Sequence, residues 1–183
     1  MTRYWEARFD TWNVQVLQGE IYVTQADEMI STVLGSCVAA CVRDPSSGIG
    51  GMNHFMLPRP PSNDLDGASA RYGVYALECL VNEILRRGAR RSELEVKVFG
   101  GGRVLRGGSD IGRINIEFVH AFFRDEGMRI AAEDVGGQCA RRIRYWPCTG
   151  RLMLLQMPMD HTLVTQEARP LDRSPPAGSV ELF

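Results

Sequence analysis

Several features that whole classes of protein depend on are missing from this chain. There is no excess of charge: 21 Lys and Arg stand against 22 Asp and Glu, a net of −1 at neutral pH. A protein that works on a polyphosphate surface needs a large positive surplus, so nucleic acid is not an expected partner. There is no long apolar run either. The longest nearly uncharged stretch, Met29 to Val42, falls short of the roughly 20 residues that span a bilayer and carries Gly35 and two serines. Membrane insertion is therefore not expected. Met1 to Asp10 alternates charge with aromatics and has no apolar stretch leading to small residues, so no secretory leader is read there. The expected compartment is the cytoplasm.

Cysteine is sparse and unpatterned. Five cysteines, an odd number without framework spacing, are expected to be free thiols in a reducing compartment. Cys37-x3-Cys41 has no second close pair to complete a metal site, so no metal is expected. Gly100 to Gly108 is glycine-rich but lacks the Lys-Ser/Thr that a phosphate-binding loop uses, and it reads as a strand exit or a substrate-lining loop. No cofactor is expected. Arg141, Arg142 and Arg144 form a short basic cluster that reads as a solvated strand face. No internal repeat or heptad run is present.

What remains is one domain's worth of chain: 183 residues, 44% hydrophobic and 23% charged. Asn13 to Val23 reads as two short strands about the Gln18–Glu20 turn. Ser31 to Val42, the turn Arg43 to Gly48, and Ile49 to Leu57 read as strand, hairpin turn, strand. Pro58 to Asp64 reads as a surface loop, because proline lacks the backbone donor. Leu77, Leu80, Val81, Ile84 and Leu85 recur at offsets of three and four and predict a helix from Val74 that stops at Gly88. Leu94 to Phe99 alternates into Gly100 and predicts a strand. A second helix is predicted with Ile114, Phe118, Ala121 and Phe122 on one face, closed by Gly127. Three further strands are predicted at Met128–Ala132, Arg142–Trp146 and Leu152–Met157. Blocks of strands and helices favour a mixed α/β layer fold: residues 13–160 as one domain, 1–12 as an N-terminal extension, and 161–183 as a Pro-rich tail without core material, read as disordered or as a docking segment.

The chemistry concentrates in the predicted hairpin. Cys37 follows Leu34-Gly35-Ser36, where small residues allow close approach and backbone N–H groups can point at an oxyanion. His54 lies on the returning strand and could serve as its base. Counting by twos from Cys37 puts Ser31 on its face and Thr32 on the other, so a hydroxyl that orients His54 is Ser31 by direction and Thr32 by sequence context. Spacing alone favours Cys37 and Cys41 as small packing residues and His54 as a core or loop histidine.

Four blocks together resemble the CheD family, the chemoreceptor glutamine deamidases of bacterial chemotaxis. They are Thr32 to Cys37 with Arg43-Asp44-Pro45, Gly50 to Pro58, Lys97 to Gly101, and Ala132 to Gly137. The resemblance covers roughly residues 13 to 157. It implies an α/β layered sandwich of mixed sheets with two main helices, similar to the deamidating bacterial toxins. It also implies a Cys/His site for side-chain amides, with Cys37 as nucleophile and His54 as base, seventeen residues apart. The family's third member is a threonine six residues before the cysteine; Ser31 occupies that position and Thr32 adjoins it. The amides of Ser36 and Cys37 would form the oxyanion site, with Gly35, Asn53, Gly100 and Gly101 lining the substrate. This chain departs from the family's pattern at Gly102, Arg103, Gln138 and Ala140, and the arginine of its Ile-Gly-x-Arg-Asn element is displaced to Arg113. The implied reaction converts receptor glutamines to glutamates that can then be methyl-esterified. The implied partners are methyl-accepting chemotaxis receptors and a CheC-type phosphatase. The alternatives are a non-catalytic docking module on receptors or the phosphatase, motivated by those departures, and a cysteine hydrolase acting on receptor methyl esters.

Overall fold

The computed structural model describes residues 1–57, 68–103, 110–158 and 180–182. The predicted loop at Pro58 to Asp64, the later part of the glycine-rich stretch and most of the tail lie outside the described residues. Two sheets and two helices stack in three layers. The six-stranded sheet runs β1 (Thr2–Glu6), β2 (Thr11–Gln15), β4 (Met29–Leu34), β9 (Cys139–Tyr145), β10 (Leu152–Pro158) and β11 (Val180–Leu182). The five-stranded sheet runs β3 (Ile21–Thr24), β6 (Gly50–Phe55), β5 (Val38–Arg43), β7 (Glu95–Gly100) and β8 (Ile130–Val135). Both sheets are mixed: β2 and β4 pair in parallel, as do β7 and β8, and all other pairs are antiparallel. This is the layered α/β sandwich that the sequence predicts.

The facing sides of the two sheets bury Val16, Ile30, Leu34, Cys37, Ala39, Cys41, Met52, Phe99, Ile143, Tyr145, Leu152 and Leu154. The other side of the five-stranded sheet carries α1 (Ala68–Arg86) and α2 (Ile111–Asp125), packed through Leu77, Leu80, Ile84, Val119, Phe122 and Phe123 onto Val38, Ala40, Val42, Val96 and Val98. Period-two alternation in β5 and β7 sends successive side chains to these two sides, so both faces of the central strands are largely buried. Full burial of each large apolar side chain contributes about 1.5–3 kcal/mol.

Caps and turns follow local chemistry. Asp110 accepts from the Arg113 amide at 3.1 Å and starts α2, while Gly88 and Gly127, both at positive φ, follow the helices. The Asp44 carboxylate, almost fully buried, takes the amides of Ser46, Ser47 and Arg90 and the Ser46 hydroxyl, which fixes the β5–β6 turn.

Three sequence expectations change. Ser31 to Val42 is not one strand: it breaks at Gly35–Cys37, where the chain leaves one sheet as β4 and enters the other as β5. The buried stripe of α2 is Gly112, Asn115, Val119, Phe122 and Phe123, shifted from the apolar face because a polar residue, Asn115, is wholly buried. Arg141 and Arg142 are buried, not solvated. The first twelve residues contribute β1 and the start of β2, and β11 pairs with β10.

Candidate active site

The break between β4 and β5 places Cys37 at the seam of the two sheets. Its carbonyl accepts from the Gly101 amide at 2.7 Å, and the Gly35 carbonyl accepts from the Gly102 amide at 2.8 Å. Gly100 sits at φ 110°, and a Cβ there would lie 2.3 Å from the Cys37 carbonyl oxygen. Only glycine allows β7 to approach so closely. Gly100 and Gly101, expected to line a substrate, thus brace the Cys37 backbone.

β5 and β6 pair with Ala39 opposite His54 and Val38 opposite Phe55. Cys37, one residue before β5, shares the inward side of Ala39 and Cys41. It lies two residues before Ala39, the partner of His54 in the pairing. Cys37 is 1% exposed and His54 2%.

The imidazole is held from the opposite sheet. Thr32, pointing inward from β4, has its hydroxyl 2.9 Å from His54 Nδ1 and donates to the Val16 carbonyl at 2.7 Å. A hydroxyl has one proton, and it goes to Val16; Thr32 therefore accepts from His54, and Nδ1 carries the hydrogen. Nε2 is then the bare nitrogen, and it is buried with no hydrogen-bond partner. Burial pushes the His54 pKa down to about 4, against the backbone bond to Val16 and the charge of Glu20, which raise it. The ring is neutral at pH 7 and ready to take a proton at Nε2. Glu20 also fixes the local backbone: the His54 amide donates to its carbonyl at 3.1 Å, and the Gly19 amide donates to the His54 carbonyl at 2.7 Å.

The structure decides between the two candidate hydroxyls. Ser31 does not reach the imidazole: it points to the other face of β4, fully buried, with no hydrogen-bond partner for its hydroxyl. The count by twos from Cys37 fails because Gly35–Cys37 is not strand, so parity is lost before β4 begins. Asn53, expected to line the substrate, faces the helices, accepting from the Ala40 amide at 2.9 Å and donating to the Ala76 carbonyl at 3.4 Å. Ser36 is half-buried, with its hydroxyl on Met56 Sδ at 3.8 Å.

One residue without a role in the sequence reading is central. Asn115, in the first turns of α2, donates to the Ser36 carbonyl at 2.9 Å and accepts from the Leu57 amide at 2.9 Å. It ties the Cys37 turn to the end of the His54 strand. The available signal was a polar side chain at Asn115 in register with Val119 and Phe122. Cys41, the other cysteine on this face, is sealed in apolar surroundings, and burial pushes its thiol well above the usual range. None of the five cysteines forms a disulfide. Among the described residues no three His, Cys, Asp or Glu side chains converge as metal donors would, and no helix is long and apolar enough to cross a membrane.

The seam of the α/β sandwich thus holds a buried cysteine and a buried histidine whose imidazole is held by Thr32. The family model for CheD chemotactic sensory transduction matches residues 56–156. The chain is 46% identical, over its whole length and 90% of the relative, to the probable chemoreceptor glutamine deamidase CheD of Halorhodospira halophila. It is 47% identical to proteins of the same name from Saccharophagus degradans, over 99% of this chain and 89% of the relative, and from Caulobacter vibrioides, over 93% and 92%. The chain belongs to the CheD family.

Proposed function

We propose that this protein hydrolyses glutamine side chains of chemoreceptors to glutamate, with Cys37 as nucleophile and His54 as base. The observation that carries the mechanism is the buried, unpartnered Nε2 of an imidazole whose other nitrogen is pinned by Thr32, on the same face as Cys37. His54 Nε2 takes the Cys37 thiol proton. The thiolate attacks the carboxamide carbon, and the amides of Ser36 and Cys37 hold the oxyanion. The imidazolium returns its proton to the amide nitrogen, the C–N bond breaks and ammonia leaves a thioester. Water, deprotonated by His54, then cleaves the C–S bond, releasing glutamate and restoring the thiol. Each turnover adds one negative charge to the receptor and creates a carboxyl that can be methyl-esterified.

The family's printed names support the receptor as substrate. A CheC-type phosphatase is proposed as second partner and the cytoplasm as the site of action, both on family grounds. The test is mass spectrometry of a receptor cytoplasmic fragment incubated with the wild type and with Cys37→Ala. A gain of about one dalton at specific glutamines, with ammonia released, is expected from wild type only. Binding without any mass change would favour the docking module, and methanol release from a methylated fragment the ester hydrolase.

A further inference from the structure

Arg141 stands in register opposite Leu34, the last residue of β4 before the Cys37 turn. Its side chain is 3% exposed. The guanidinium sends Nε and Nη2 to the same oxygen of Asp134, at 2.8 and 2.5 Å, and Nη1 to the Cys139 carbonyl at 3.2 Å. The second oxygen of Asp134 accepts from Gln156 Nε2 at 3.0 Å. Asp134 belongs to β8 of the five-stranded sheet, whereas Arg141 and Gln156 belong to neighbouring strands of the six-stranded sheet. The pair therefore bridges the sheets at the end where the chain crosses between them.

The backbone around this guanidinium is the backbone that holds the Cys37 turn. The Gly102 amide donates to the Gly35 carbonyl, the Gly136 amide to Gly100 at 2.9 Å, and the Arg103 amide to Gly137 at 2.9 Å. A Cβ on Gly102 would meet the Cys139 carbonyl at 2.6 Å, the Gly35 carbonyl at 3.2 Å and Arg141 Nη1 at 3.6 Å. The loop after β7, the turn before β9 and the Cys37 turn thus enclose one charged side chain.

An ion pair with its arginine fully buried and its carboxylate partly buried is a poor source of net stability, since desolvation offsets most of the attraction and an apolar pair of equal volume would join the sheets as well. What an arginine fork on a carboxylate supplies is a fixed direction. We propose that Asp134 and Arg141 are a positioning pair: they set the Gly35–Ser36 backbone, and with it the amides and thiol of Cys37, and so act on the chemical step and not on receptor binding. The proposal rests on the reading of Cys37 as nucleophile. A misplacement of about 1 Å at such a centre costs on the order of a hundredfold in rate.

The test uses the full chain and a receptor cytoplasmic fragment, with kcat and KM from ammonia release and a melting curve for every variant. Asp134→Asn removes the charge at nearly constant shape, and Arg141→Lys keeps the charge but loses the fork. Each is expected to lower kcat at least tenfold with KM within twofold of wild type, and Arg141→Lys is expected not to restore the rate. Folded variants with wild-type kcat, or a change in KM alone, overturn the proposal. Should both charge variants fail to fold, Gln156→Leu decides. It removes one bond to Asp134 and is expected to lower kcat about threefold, as a bond of roughly 0.6 kcal/mol would; an unaltered kcat there overturns the pair's role. Activity retained by Cys37→Ala would instead overturn the nucleophile assignment.

Discussion

Thr32→Val is the most informative single change, because it keeps the side chain's shape and removes one hydroxyl. That hydroxyl accepts from His54 Nδ1 at 2.9 Å and donates to the Val16 carbonyl at 2.7 Å, in a site closed to water. The valine leaves His54 Nδ1 without its side-chain acceptor and takes one donor from the Val16 carbonyl. A buried group left without its partner costs about 1–3 kcal/mol, divided between stability and alignment of the ring. If about 1.4–2.7 kcal/mol of alignment is lost from the transition state, kcat falls about 10- to 100-fold. Ammonia release from a receptor fragment should show that fall with KM unchanged, and Tm should drop by about 2–8 °C. Thr32→Ser, which keeps the hydroxyl, should retain most of the activity. Ser31→Ala removes a hydroxyl with no partner and should leave kcat within about twofold. Wild-type turnover in Thr32→Val together with a large loss in Ser31→Ala would refute the reasoning.

His54 should make the fold acid-sensitive. Burial lowers its pKa from 6.5 to about 4, so the unfolded chain binds the proton more readily between these values, and stability is lost as pH falls from 6.5 through 4. At about 1.4 kcal/mol per pH unit the loss is about 3 kcal/mol, and urea titrations across that range should show it in wild type but not in His54→Gln; parallel losses in the two proteins would contradict it. Asn115→Leu strands the Ser36 carbonyl and the Leu57 amide and should cost about 2–4 kcal/mol in denaturant titration, together with a fall in kcat. Gly100→Ala should destabilise at least about 2 kcal/mol more than Gly88→Ala. Both glycines have φ above 100°, but only Gly100 would drive its Cβ into a backbone oxygen; Gly88 has nothing within 4 Å.

Local features decided much of the fold before any tertiary contact. The turn Arg43 to Gly48 carries its own hydrogen-bonding residues, and hairpin pairing across six residues leaves little freedom of register; Ala39 had to meet a residue near His54. The helices announced themselves through apolar spacing and terminal glycines. The strand into Gly100 was equally plain from alternation. Such patterns depend on neighbours in the chain, and a single sequence displays them.

The parts of the site that orient chemistry were settled only by the tertiary structure. Which sheet a strand joins is a long-range decision, so nothing in Ser31 to Val42 marked the crossing at Gly35–Cys37, and with parity broken there the sequence could not choose between Ser31 and Thr32. Asn53 and His54 are neighbours in the chain but face different layers. Asn115 and Arg141 are polar, and hydrophobic patterning sends polar groups outward; they are buried because partners on other elements satisfy them. The residue types that can perform the reaction are thus written in the chain itself. Their alignment arises only where two sheets meet, because hydrogen bonds between distant segments have no signature in local spacing.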